Sequence, residues 1–247
     1  MCFHTKNTKT ITQLENRFNV SRTDRFDFEE TDFYFYHANG YTHREHLIIP
    51  QEKPTIFSPS LWGIMPSNIK GYEQDDYYKK SVRFGGGLNA QSEKLFDHFI
   101  YKNSAFTRRC IVPLDGFYEP HTASNNLKIP FHFKRKDNEA FGVAGIYNLS
   151  PDMYVSMTIL TKEASPLFAK IHNKKFRQPV LLNKDLEKEW LRNDLSKENI
   201  VELINQEYPE DELEAYPISR DLFMPNIDSD REDIIEKVNY EELNTLF

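Results

Sequence analysis

Cys2 has more chemistry at its disposal than any other single residue of the chain. If the initiator methionine is removed, which the small side chain at position 2 should permit, Cys2 presents a thiol and a free α-amine on adjacent carbons. Unperturbed, these groups ionise at roughly 8.5 and 7.7–8.0, so both are partly reactive near neutrality. The amine condenses with an aldehyde to an imine, and the thiolate then closes a five-membered thiazolidine ring. The ordinary alternative is a small apolar residue at a chain start. The other cysteine, Cys110, completes neither a disulfide framework nor a CxxC pattern.

Three further segments hold residues suited to chemistry. Gly85-Gly86-Gly87 runs into Leu88-Asn89-Ala90-Gln91-Ser92-Glu93 and concentrates a third of the nine glycines in one loop. Such a loop permits positive φ and close backbone approach to a ligand, ahead of a helix start that can receive an anion. Its spacing fits neither a P-loop nor a dinucleotide fingerprint, and a plain flexible loop is the alternative. In Arg108–Pro120, an extended backbone would set Phe117 and Glu119 on one face. Desolvation beside that aromatic surface would raise Glu119 into a range useful for proton transfer, although a lone glutamate is more often solvated. His172 titrates near neutrality and has Lys174, Lys175 and Arg177 close by in sequence, cations that suit phosphates. A structural or exposed histidine is the commoner case. His43 and His46, three apart in a strand-like region, would face opposite sides, so no metal site is expected there.

The elements that must position these residues are mostly strands. Candidates are Thr31–Ala38, Glu45–Ile49, Thr55–Met65, Cys110–Glu119, Lys128–Lys134, Phe141–Leu149 and Met157–Thr161, each bounded by Gly, Pro, Asn or Asp. Helical spacing marks Thr10–Phe18, a Ser cap opens Ser92–Phe99, and Asn183–Arg192 and Ser196–Glu207 read as later helices. The mixture predicts an α+β fold: a single domain with a β-barrel-like, mainly antiparallel core and peripheral helices. With no internal repeat and no Gly/Ser linker, residues 1–227 are expected to form that domain. Residues 228–247 form an acidic C-terminal tail, at best a short helix over Arg231–Leu243 on a mobile end.

The 247 residues include 19 Phe and 13 Tyr, which excludes disorder for the bulk of the chain. No apolar run approaches the ~18–20 residues that span a bilayer, and the start lacks the apolar stretch of a signal peptide, so a soluble cytoplasmic protein is expected. The formal charge of −7 argues against a nucleic-acid partner only until its distribution is considered. Residues 228–247 hold seven acids against Arg231 and Lys237, a net −5, leaving −2 for the other 227 residues. Lys162 to Arg177 holds five basic residues and one acid, either a solvated face or local ground for an anionic partner.

Taken in order, these segments resemble the SRAP family, the SOS response-associated peptidases, also described as abasic-site processing proteins. The resemblance is carried by the Met-Cys start, Trp62-Gly63-Ile64-Met65-Pro66, Asn89-Ala90-Gln91-Ser92-Glu93 and Arg109-Cys110-Ile111-Val112-Pro113-Leu114-Asp115-Gly116-Phe117-Tyr118-Glu119. Ala144-Gly145-Ile146-Tyr147, Thr158 to Ala164, and Ile171-His172-Asn173 through Leu182 continue it, over about Met1 to Trp190.

The resemblance implies a positively charged cleft for single-stranded DNA and a covalent thiazolidine link from mature Cys2 to the ring-opened aldehyde of an abasic site. It implies that Asn89 orients the cysteine or sugar. Glu119 would handle protons for imine formation, for release and for autocatalytic loss of Met1, and His172 would assist sugar-ring opening and later reversal. Phosphate and base contacts map to Trp62, Gln91, Thr161, Lys174 and Lys175. No cofactor and no metal are implied; the partner is single-stranded DNA containing abasic sites, the protein a monomer associated with the nucleoid when on DNA.

Four departures stand against the family pattern: Phe3-His4 where many relatives have Gly-Arg, Gln91 for an Arg, Asn68 for an aromatic, and Pro120 for a Trp. Gln91 removes one charge-assisted phosphate contact. Two other functions compete: a cysteine peptidase acting on other proteins, with Cys2 as nucleophile and His172 as base, and a non-catalytic single-strand-binding module. A tail of net −5 would also be able to compete with DNA for the basic groove.

Overall fold

The computed structural model describes residues 2–23 and 25–243. Its strands, in chain order, are β1 (His4–Asn7), β2 (Phe35–Asn39), β3 (Glu45–Pro50), β4 (Ser58–Trp62), β5 (Asn89–Gln91), β6 (Arg109–Leu114) and β7 (Gly116–Thr122). They continue with β8 (Lys128–Arg135), β9 (Phe141–Leu149), β10 (Val155–Glu163), β11 (Arg177–Pro179), β12 (Leu181–Leu182) and β13 (Leu213–Pro217). The helices around them are α1 (Ile11–Phe18), α2 (Gln74–Ser81), α3 (Ser104–Thr107), α4 (Pro166–Ile171), α5 (Lys184–Trp190) and α6 (Lys197–Asn205).

β10 pairs with both β4 and β9, so that β4, β3, β6, β9 and β10 close into a five-stranded barrel. Closure leaves these strands no free edge. A second sheet runs β13-β8-β7-β1-β2. The pairings are antiparallel except where β10 meets β4 and β5. The result is a single α+β domain with a barrel-like, mainly antiparallel core.

The expected strand over Cys110–Glu119 is two strands, β6 in the barrel and β7 in the second sheet. Asp115 makes the corner: its carboxylate accepts from the Thr8 backbone N–H at 2.9 Å and pairs with the Lys6 ammonium at 2.7 Å, both ions buried. β1 lies in the second sheet between the central β7 and the edge strand β2, with His4 opposite Tyr118 and Thr5 opposite Phe117 on β7. This N-terminal strand, too short and polar to show in the sequence pattern, carries Cys2 to the sheet.

Inside, Phe117, Phe133 and Phe168 stack nearly parallel, centroids 4.6–6.0 Å apart. Burying each ring contributes about 1.5–3 kcal/mol. α1 matches its expectation: Thr10 and Gln13 exchange capping-box hydrogen bonds, and Ile11 and Leu14 face the core.

Two expectations fail. Ser92–Phe99 is a short 3-10 turn (Ser92–Lys94) followed by further turns, because β5 arrives immediately before it and its residues serve the sheet. The C-terminal segment is not a mobile end with a helix. Ile234 is fully buried against Tyr118, Ile218 and Leu222, and Ile218 bridges to Lys237. Short 3-10 turns at Glu232–Ile235 and Glu241–Leu243 replace the helix. Among the described residues no helix is long and apolar enough to cross a membrane.

Candidate active site and cleft

Cys2 is buried, two residues ahead of β1. Its carbonyl oxygen accepts from Asn89 Nδ2 at 2.8 Å, and its thiol donates to the His4 carbonyl at 3.6 Å. Burial pushes the thiol well above its ordinary range, and the nearby Glu119 carboxylate adds to the rise.

Asn89 opens β5, and several contacts hold that strand in place. The Trp62 indole donates to Leu88 O at 2.9 Å. Gly87, at φ +70°, lies so close to Ile64 that a Cβ would sit 2.5 Å from its carbonyl oxygen. Of the glycine run expected to approach a ligand, Gly86 packs against His43 and Gly87 against the Gly63–Ile64 turn, while Gly85 faces open space. His43 itself is not in a strand; it sits in a left-handed turn with Nδ1 2.8 Å from Trp62 O.

Glu119 projects from β7 into full burial, as the pairing of Phe117 and Glu119 on one face requires. Desolvation pushes its carboxyl up to about 7. His172 caps the end of α4, and burial pulls it down to about 4. Its Nδ1 lies 3.1 Å from Glu119 Oε2 and 3.0 Å from Arg177 O. One N–H cannot aim at both acceptors, and among the described residues neither Glu119 oxygen receives an aligned hydrogen bond. Asn89 Oδ1 is likewise buried without a partner among them. Such atoms cost stability unless a ligand completes them.

The residues flanking His172 tie it to the Glu119 strand. Ile171 O lies 3.0 Å from His121 Nδ1, while the Asn173 side chain accepts from Thr122 N at 3.0 Å and donates to Thr122 O at 2.9 Å. Asn173 mimics a strand partner for β7. Nothing in its sequence spacing announces that role.

Of the other expected site residues, Lys174 and Lys175 are exposed and line a cleft of about 860 Å³ beside Phe3, Tyr41 and His172. Gln91 is half-buried on β5. Trp62 and Thr161 are fully buried. Trp62 spends its N–H on Leu88 O, and Thr161 O accepts from Arg177 at 2.6 Å. Direct contact with DNA is therefore corrected for both: they hold β5 and β11 in position. Among the described residues no three His, Cys, Asp or Glu side chains converge as a metal site.

The cleft is also lined by the chain's own C-terminal segment. Asp230 accepts from the backbone N–H of Tyr36 at 2.7 Å and pairs with Arg44 at 2.7 Å. Ser229 Oγ lies 2.6 Å from His37 Nδ1, and His37 Nε2 lies 2.8 Å from His4 Nδ1. Lys128, Lys174 and Lys175 thus share the cleft with Asp228 and Asp230. A larger hollow, about 1170 Å³, is lined by Glu93, Glu163, Glu207 and Glu210 and by none of Cys2, Asn89, Glu119 or His172.

A family model described as SOS response associated peptidase (SRAP) matches residues 1–225. The chain is 29% identical over 170 residues to the abasic site processing protein YobE of Bacillus subtilis, covering 67% of this chain and 72% of that one. It is 31% identical over 163 residues to YoqW, an abasic site processing protein of the same organism, covering 64% and 67%. A crystal structure of a protein from Bacteroides thetaiotaomicron shares the fold with a TM-score of 0.83 at 24% identity, over 96% of this chain and all of that one. With the family model spanning most of its length, the chain belongs to the SOS response associated peptidase (SRAP) family.

Proposed function

We propose that this protein processes abasic sites in single-stranded DNA by forming a covalent link through Cys2. The observation that carries the reading is the convergence on Cys2 of an amide that fixes its backbone (Asn89) and a buried carboxyl near pKa 7 (Glu119) with a neutral imidazole beside it (His172). Relatives named as abasic site processing proteins support it.

Met1 lies outside the described residues. Its removal is hydrolysis of the Met1–Cys2 peptide bond, with Glu119 as the group that activates water. The freed α-amine of Cys2 adds to C1′ of the ring-opened sugar. Glu119, whose carboxyl burial raises towards neutrality, donates the proton with which water leaves the carbinolamine. The thiol then adds across the resulting C=N bond and its proton passes to the nitrogen, so closure consumes no further reactant. His172 assists opening of the sugar ring before attack and the reversal afterwards. Lys174 and Lys175 meet phosphates, and the cytoplasm, with its nucleoid, is where the substrate lies.

A peptidase acting on other proteins is less well supported: the thiol is buried and directed to His4 O, with no base paired to it among the described residues. The test is incubation of protein shown by mass spectrometry to begin at Cys2 with single-stranded DNA holding one abasic site. A heat-stable adduct, lost in Cys2→Ala, is expected. No adduct from correctly processed protein would sink the reading, and an adduct from N-terminally acetylated protein would sink the imine step.

A further inference from the structure

Phe3 follows the nucleophile directly, and its ring stacks on Tyr41 with centroids 5.4 Å apart and planes 22° from parallel. Both rings line the cleft that holds Lys174 and Lys175. Tyr41 is 44% exposed, so its ring remains open to a ligand entering the cleft.

The pair is held rigidly. The Phe3 carbonyl accepts from Gly40 N at 2.8 Å. Tyr41 sits in the 3-10 turn Gly40–Thr42, where Asn39 Oδ1 caps its N–H at 3.1 Å and Thr42 Oγ1 bonds Asn39 O at 2.7 Å. A preorganised aromatic surface beside lysines is the chemistry that holds an unpaired nucleobase: the ring offers a sequence-tolerant π-face and the ammonium groups meet the backbone.

We infer that Phe3 and Tyr41 form a stacking platform for the nucleobase next to the abasic nucleotide. The inference rests on the abasic-site reading and deepens it. The lesion has no base, so a flanking base must set the register of the strand. Phe3 is one Cα–Cα step, about 3.8 Å, from the residue that forms the bond, which places the adjacent nucleotide within its reach. Because purines present the larger π-face, a purine at that flank should bind and react better than a pyrimidine.

The test uses single-stranded oligonucleotides with the abasic site flanked by A or C on the 5′ side, the 3′ side or both. Wild-type protein is expected to crosslink the purine-flanked substrate about fivefold faster at sub-saturating DNA, on one flank. Phe3→Gly and Tyr41→Leu should abolish the difference while still forming the adduct, and Tyr41→Phe should keep it. Equal rates for all flanks in the wild type, or a flank preference that survives Tyr41→Leu, would overturn the platform.

Affinity for undamaged single-stranded DNA separates this failure from failure of the parent reading. Tyr41→Leu should weaken it at least fivefold even for protein that makes no adduct. Unchanged affinity in Tyr41→Leu would overturn the platform by itself.

Discussion

Glu119 Oε2 stands 3.1 Å from His172 Nδ1, and burial moves the two groups in opposite senses, the carboxyl up to about 7 and the imidazole down to about 4. Ordinarily the carboxylate would be the stronger acid. Here the order is reversed, so near neutrality Glu119 exchanges a proton while His172 stays uncharged. Both positions result from desolvation, and both depend on the tethers from Asn173 and His121 that hold the imidazole against β7.

The raised carboxyl has a stability consequence with a definite sign. Between the unfolded value near 4.5 and the folded value near 7, the native state keeps a proton that the unfolded state has lost. The contribution of this carboxyl to stability therefore falls as pH rises through that window and stays lower above it, by up to about 3 kcal/mol, while buried imidazoles such as His172, with lowered pKa, contribute in the opposite sense up to about pH 6.5. Glu119→Gln should remove this contribution, so that its stability relative to the wild type is higher at pH 8 than at pH 5 by up to about 3 kcal/mol, yet it should be unable to form the adduct at a normal rate. Urea denaturation of both proteins at pH 5 and pH 8 reads this difference directly; a difference that is the same at the two pH values would show that Glu119 does not carry it.

Asn89 bonds the backbone of Cys2, the proposed nucleophile, rather than its sulfur. Asn89→Ala removes the 2.8 Å hydrogen bond to Cys2 O and lets the chain start swing from its place beside Glu119. Loss of one such positioning contact is expected to slow adduct formation about 10–100-fold, with a stability cost of only about 1 kcal/mol. Single-turnover crosslinking at saturating DNA separates the two. A rate within twofold of wild type would show that Cys2 is held by other means.

The strands around the site were legible where side chains alternate or run apolar: Phe141–Leu149 coincides with β9, and Lys128–Lys134 falls one residue short of β8. The pairing of Phe117 with Glu119 on one buried face also follows from period 2 alone. Three features lie beyond such patterns because long-range contacts create them. The four residues of β1 carry no alternation, and their place between β7 and β2 is set by pairing across about thirty and more than one hundred positions. The break at Asp115 depends on Lys6 and Thr8. The C-terminal segment reads as a charged tail because its anchor, Ile234, is one buried apolar residue amid acids. Motif similarity located Trp62 and Thr161 but could not distinguish a residue that touches a ligand from one that holds the strand beneath it.

Asn173→Ala tests the tether on the other side of the pair. It deletes one acceptor and one donor to the Thr122 backbone, leaving that N–H and C=O to find water or remain unpaired, at about 1–3 kcal/mol. The His172 loop should loosen against β7. Reversal of the proposed crosslink, the step assigned above to His172, is expected to slow more than its formation. Equal slowing of both steps would place Asn173 in general stability alone.

The C-terminal segment gives a test in which charge and folding can be separated. Removing residues 228–247 strips Ile234 from its pocket against Tyr118 and Leu222, so the truncated protein should lose several degrees of Tm whatever its effect on DNA. Asp230→Asn keeps the shape and an acceptor for the Tyr36 N–H, but drops the charge paired with the half-exposed Arg44. A pair this exposed contributes little to stability, so Tm should stay within a few degrees. With one carboxylate fewer in the cleft that holds Lys174 and Lys175, affinity for single-stranded DNA should rise severalfold at low salt. The gain should vanish at about 0.5 M salt, where the screening length is a few ångströms. Unchanged low-salt affinity in Asp230→Asn would show that the acidic wall does not compete with DNA, and a gain that persists at high salt would assign the effect to shape rather than charge.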